Sequence, residues 1–168
     1  MNNYTRRGAL ALGLGSTALL AGCGSKFISY DGPEVTRVVI QKSSRQLALF
    51  NGNTMLEQYK IQLGFAPVGP KQFEGDGKTP EGRYTVDKRN PNSAYFLSVG
   101  IDYPNEADRA YAAEMGKEPG GEIFVHGWGD KRRANSGDWT AGCVAVTNRE
   151  IKVIYASVRD GTPVDIYA

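Results

Sequence analysis

From Val35 to Tyr167 the apolar residues come in short runs, each cut off by glycine, proline or asparagine before a helical period can establish itself. Val35–Ile40 and Arg45–Phe50 are apolar or alternating, and Met55–Leu63 alternates again. Asn51-Gly52-Asn53 between the second and third runs is a hairpin signal, because Asn and Gly tolerate positive φ. Arg83–Asp87, Tyr95–Tyr103, Glu122–His126 and Thr162–Tyr167 continue the strand pattern. Only two segments read as helix. Asn105–Met115 has a capping Asn105, early acids and a terminating Gly116, while Asn148–Val158 sets Ile151, Ile154, Tyr155 and Val158 on one face behind Thr147 or Asn148 as cap. A mostly β domain with two short helices is expected, one face of its meander on the core. Gly64–Gly82, dense in glycine and proline, cannot be regular structure, and long loops of this kind usually carry function. Gly127–Trp139 is a second polar loop.

The first residues follow a different logic. Arg6 and Arg7 precede an uncharged run, Gly8–Gly22. That run is short of the ~20 apolar residues that span a bilayer but suits the h-region of an export signal. It closes on Leu20-Ala21-Gly22-Cys23, which resembles the lipobox of bacterial lipoproteins, where cleavage before the cysteine frees it for lipidation. Thr5-Arg6-Arg7 with Leu10 also resembles a twin-arginine signal. The expected organisation is a signal peptide at 1–22, a lipidated Cys23 with a polar tether to residue 34, and one domain over 35–168.

Charge and composition exclude several function classes. The whole chain carries a formal net charge of only +2, with no clustered basic face of the kind that neutralises phosphates, so nucleic-acid binding is not expected. One histidine and two cysteines make a zinc cage of N and S ligands hard to assemble. Gly77-Lys78-Thr79 superficially suggests a phosphate loop, but Gln72 stands where the first glycine belongs and Pro80 discourages the following helix. Lys131-Arg132-Arg133 reads as a solvated loop tip, or as a contact for a carboxylate.

If Cys23 is lipidated, Cys143 is the one thiol left in an oxidising compartment, where an unpaired cysteine is either sealed in the core or used. It lies a short loop after the sole histidine, in Val125-His126-Gly127 and Gly142-Cys143-Val144. The thiolate is the nucleophile and histidine its usual base, while Gly142 leaves the sulfur approachable. Inert burial of both side chains fits the same spacing. Trp128 and Trp139 flank the loop, as packing or as cleft wall.

The surrounding residues resemble the L,D-transpeptidase (YkuD) family of peptidoglycan enzymes. Its signature is a histidine followed by glycine or serine, then Ser/Thr-His-Gly-Cys, a hydrophobic residue and an asparagine. His126-Gly127 matches the first part, and Thr140, Gly142, Cys143, Val144 and Asn148 match the second. Thr79-Pro80-Glu81-Gly82-Arg83-Tyr84 and Leu63-Gly64 match upstream. Ala141 departs from the pattern, standing where most members have a second histidine. Asp138-Trp139-Thr140-Ala141-Gly142-Cys143, with Gly75-Asp76-Gly77-Lys78 and Asn90-Pro91-Asn92-Ser93, resembles a YafK-like branch instead.

The resemblance implies a small β-sandwich-like fold, no metal or organic cofactor, and a role in cell-wall biogenesis and cell shape. It implies Cys143 as nucleophile, His126 as general base, the Gly127 carbonyl orienting the imidazole, and N–H groups of Gly142 and Cys143 holding an oxyanion. Thr140, Trp139, Trp128 and Asn148 are expected to touch substrate. The implied substrate is a diaminopimelate-containing stem peptide of peptidoglycan, attacked to give a thioester. The alternatives are a hydrolase that detaches a lipoprotein from peptidoglycan and a non-catalytic peptidoglycan-binding lipoprotein. The expected address is the cell envelope, facing the periplasm and held by the N-terminal lipid at the outer membrane, since Gly24-Ser25 lacks an aspartate after Cys23.

Overall fold

The Asn51-Gly52 turn closes a hairpin with Gly52 at φ +55°, joining β2 (Gln46–Asn51) to β3 (Thr54–Lys60). In the computed structural model, which describes residues 25–129 and 136–168, the strands form one eight-stranded sheet. The others are β1 (Arg37–Gln41), β4 (Gly82–Asn90), β5 (Ser98–Ile101), β6 (Phe124–His126), β7 (Val144–Ala145) and β8 (Pro163–Tyr167). Their order is β3-β2-β1-β8-β4-β5-β6-β7. The pairs β1–β8 and β6–β7 are parallel and the rest antiparallel. The segment expected to be a signal peptide, Cys23 and Lys131–Arg133 lie outside the described residues.

Strand β4 makes the sheet curl. Its first half, Gly82–Thr85, pairs with β8, and its second half pairs with β5 after a register shift between Val86 and Lys88. A bulge of this kind bends a strand and raises its twist, turning one half of the sheet over the other. The far edge then comes round to meet the near one. Gln62, just past β3, exchanges two backbone hydrogen bonds with Ala145 of β7, at 2.9 and 2.8 Å.

A buried cluster fills the interior, drawing Ile40, Leu47, Leu49, Val99, Val144 and Ile166 from five strands. Each such side chain contributes about 1.5–3 kcal/mol on burial. Helix α2 (Asn148–Ser157) packs on β5 and β6 through Ile151 and Ile154. Its cap is Thr147 rather than Asn148: the Thr147 hydroxyl accepts the Glu150 N–H while the Glu150 carboxylate accepts the Thr147 N–H. Helix α1 (Glu106–Glu114) is capped in the same way by Asn105 and Asp108.

Several expectations are corrected. The strand expected over Tyr95–Tyr103 begins only at Ser98, because Phe96 takes a φ of +79° in a turn that starts at Ser93. Strand β4 runs on through charged Lys88 and Arg89, and β7 has only two residues. Part of the expected tether is docked: Ser25 accepts from Lys152 Nζ at 2.8 Å, and the Phe27 and Tyr155 rings lie 6.1 Å apart.

Candidate active site

Parallel pairing of β6 with β7 decides what meets here. His126 lies opposite Ala145 and Val125 opposite Val144, so the residue before β7, Cys143, falls beside Phe124. The Phe124 N–H donates to Cys143 Sγ at 3.4 Å. Alternate residues of a strand share a face, so Cys143 and His126 are diagonal neighbours on one face. Both line one cavity of about 280 Å³ with Asn90, Ser93, Tyr95 and Glu122.

The imidazole is held on several sides. His126 is 3% exposed, and its Nδ1 lies 2.7 Å from the Gly127 carbonyl oxygen. A carbonyl only accepts, so Nδ1 carries the proton and Nε2 keeps the lone pair of a base. Tyr95 stacks on the ring and Trp139 meets it edge-on at 5.7 Å. The thiol donates to the Glu122 carbonyl at 3.3 Å. Burial pushes the Cys143 thiol above its ordinary value, the Phe124 N–H pulls it down, Glu122 raises it and Lys71 lowers it. A thiol raised in this way gains from a neighbouring base if it is to ionise.

The turn that carries the sulfur is pinned from below. Thr140, buried, donates its hydroxyl proton to the Cys143 carbonyl at 2.7 Å and accepts the Gly142 N–H at 3.2 Å. Gly142 has φ +136°, and a Cβ there would fall 2.6 Å from the Lys78 carbonyl oxygen. A Cβ on Gly64 would fall 2.1 Å from the Gly77 carbonyl oxygen. Three backbone segments thus pass in contact, which is the physical content of Leu63-Gly64, Gly77-Lys78 and Gly142-Cys143. Asp138 ties the same turn to the hairpin, taking the Arg45 guanidinium at 2.7 Å and the Leu63 N–H at 2.8 Å.

The loop expected over Gly64–Gly82 is built as a brace. Asp76 accepts N–H groups from Gln72, Phe73 and Lys78 and pairs with Lys71 at 2.9 Å, both side chains being buried. Lys42, 2% exposed, reaches in from the hairpin to the Gly69 and Thr79 carbonyls and the Glu81 carboxylate at 2.6, 2.9 and 2.8 Å.

Several expected substrate contacts have other partners. Asn148 spans Gly129, accepting its N–H at 2.9 Å and donating to its carbonyl at 3.1 Å, so it fixes the chain after His126. Thr140 is engaged by the Cys143 turn, and the Gly142 N–H, expected at an oxyanion, is engaged by Thr140. Trp139 donates Nε1 to Gln62 at 2.9 Å and packs on His126. Trp128 faces a separate cavity with Tyr59, Gln62 and Thr147. Ala141 is exposed. Tyr95, Glu122 and Lys42 were not picked out from sequence. Tyr95 follows the quoted Asn90–Ser93 segment, but its stacking on a residue 31 positions later leaves no local signal.

The sequence pattern of YkuD, the L,D-transpeptidase catalytic domain, matches residues 35–166. YafK of Escherichia coli, provisionally named an L,D-transpeptidase, is 36% identical over 107 residues, which is 62% of this chain and 37% of YafK. The chain spans just over a third of the length of the curated relatives it matches. The helical cell shape determining protein Pgp2 from Campylobacter jejuni superposes with a TM-score of 0.63 at 26% identity, over 86% of this chain and 51% of that one. Bd1075 from Bdellovibrio bacteriovorus gives 0.58 at 27% identity, over 80% and 48%. An L,D-transpeptidase from Mycobacterium smegmatis, at 16% identity and a TM-score of 0.54 over 82% of this chain and 60% of that one, shares the fold.

Proposed function

Because the chain belongs to the L,D-transpeptidase catalytic domain family, we propose that it is a cysteine-dependent acyltransferase acting on diaminopimelate-containing stem peptides of peptidoglycan. The observation that carries this is the shared cavity of Cys143 and His126, with His126 Nδ1 tied to the Gly127 carbonyl. His126 Nε2 takes the Sγ proton, and the sulfur attacks the stem-peptide carbonyl at diaminopimelate. The Cys143 N–H serves the developing oxyanion, since the Gly142 N–H is engaged by Thr140. The imidazolium returns its proton to the departing amine of D-alanine, leaving a thioester on Cys143. An amine from a second stem peptide then attacks the thioester, and sulfur leaves and is reprotonated.

Position 141 is exposed, so the second motif histidine is missing from a place that leaves the Cys143–His126 dyad intact, which favours catalysis over mere binding. Whether water or an amine resolves the thioester is read from the product. Wild type and Cys143→Ala are incubated with muropeptides and with peptidoglycan carrying attached lipoprotein. Cross-linked product from wild type alone supports transpeptidation; released lipoprotein from wild type alone supports the detaching hydrolase. Equal product from both proteins contradicts both enzyme readings. The same reading puts the protein in the cell envelope with lipid on Cys23, at the outer membrane, and mass spectrometry of the mature N-terminus tests the lipid.

A further inference from the structure

Glu122 is a non-glycine residue at φ +57°, a left-handed conformation that an L side chain adopts only at a cost. Two glycines precede it, and its carbonyl is the acceptor of the Cys143 thiol. Glycine at 122 would hold that carbonyl without strain, so the backbone does not account for the carboxylate. Stability does not either. Its side chain is 78% exposed and pairs at 3.1 Å with Lys88, itself 42% exposed, and exposed pairs contribute little. Strain kept beside a nucleophile points to use.

Lys88 is also placed with care. Its ammonium sits 5.2 Å from the centre of the Phe124 ring. Its stem crosses Gly100, where a Cβ would fall 2.6 Å from Lys88 Cγ. The missing side chain at Gly100 thus lets the Lys88 stem pass beside the Phe124 ring, and its ammonium meets Glu122, which lines the cavity. The result is one positive and one negative group, side by side, the negative one on the residue whose carbonyl meets the Cys143 thiol.

We propose that Lys88 and Glu122 hold a substrate group bearing an ammonium and a carboxylate on one carbon. Glu122 takes the ammonium and Lys88 the carboxylate, so the neutral pair matches a zwitterion and discriminates against an end with a single charge. This rests on the reading above, in which the attacked residue is diaminopimelate. Its carbonyl is at one end, and its free end is such a zwitterion.

The test compares two acyl donors that differ at that residue alone, diaminopimelate against lysine, which keeps the ammonium and lacks the carboxylate. Wild type is expected to prefer diaminopimelate by about tenfold or more in kcat/KM, as sites built around a polar group do. Lys88→Met abolishes the preference through KM, and Glu122→Gln raises KM for both donors. A Lys88→Met protein that keeps the preference overturns the proposal, as do variants that slow both donors equally through kcat, the mark of a merely structural role. Wild type inert towards both donors overturns the parent reading instead.

Discussion

The rings of Tyr95 and His126 stack with centroids 4.4 Å apart and planes inclined by 26°. Trp139 closes the same group, 5.5 Å from Tyr95 and 5.7 Å from His126. Two aromatic neighbours and the Gly127 carbonyl leave the imidazole few rotamers, which is what a base needs if its lone pair is to stay aimed at one sulfur. Tyr95→Leu is expected to slow His126-dependent alkylation of Cys143 about tenfold, the order of effect of a loosened catalytic group. Tyr95→Phe, which keeps the ring, stays much closer to wild type. Iodoacetamide labelling followed by mass spectrometry measures both.

Thr140 links the Gly142 N–H to the Cys143 carbonyl across the turn that carries the sulfur. Thr140→Val removes an acceptor from the Gly142 N–H and a donor from the Cys143 carbonyl, leaving buried polar groups unpaired at a cost of about 1–3 kcal/mol. Acyl transfer should fall with stability, because the Cys143 turn loses its support. Thr140→Ser restores both, as urea unfolding and initial rates on the same samples will show.

Lys42 is a stability determinant disguised as a turn residue. Lys42→Met leaves two carbonyls and the Glu81 carboxylate without their cation, and breaking a buried pair from one side costs about 3 kcal/mol. The midpoint of urea unfolding should drop accordingly. Because the released loop also backs Gly142 through Lys78, Cys143 alkylation should change in the same variant.

Asp76 predicts an acid limit. Burial alone would raise its carboxyl, but the N–H groups of Gln72, Lys78 and Phe73 and the Lys71 ammonium hold it below the ordinary carboxylate value. A carboxylate depressed in the folded state stabilises the fold above its unfolded pKa, and that stability is lost as pH falls through the lower folded value. Thermal midpoints should therefore decline below about pH 4, near the unfolded carboxyl value. Asp76→Asn should be less stable at pH 7 and show a shallower acid decline.

Much of this architecture was legible because its causes are local. Thr147 with Glu150, Asn105 with Asp108 and Asn51-Gly52 act over three or four residues, so the helices and the β2–β3 hairpin stood out. The two-residue β7 did not, because its pairing with β6 and Gln62 is long-range and its residues sit among polar turns. The end of β4 hid behind Lys88 and Arg89, whose side chains lie over the Phe124 and Tyr155 rings, partners that only the fold brings near. At the site, the motif spacing pointed to Cys143 and His126, which line one cavity, whereas the backbone partners of Asn148 and Thr140 come from the folded chain and could not be read from the motif. Lys42 and Glu122 were invisible for the converse reason: nothing in a lysine codon's neighbours reports burial, and nothing in a glutamate's reports a positive φ.

Intact-mass spectrometry after brief exposure to a disaccharide tetrapeptide shows whether Cys143 carries the acyl group. An adduct equal to the donor minus D-alanine is expected on wild type, located at Cys143, released by hydroxylamine, absent from Cys143→Ala and greatly reduced in His126→Ala. Turnover of the donor by Cys143→Ala, or an adduct on that variant, would contradict an acyl-enzyme at Cys143.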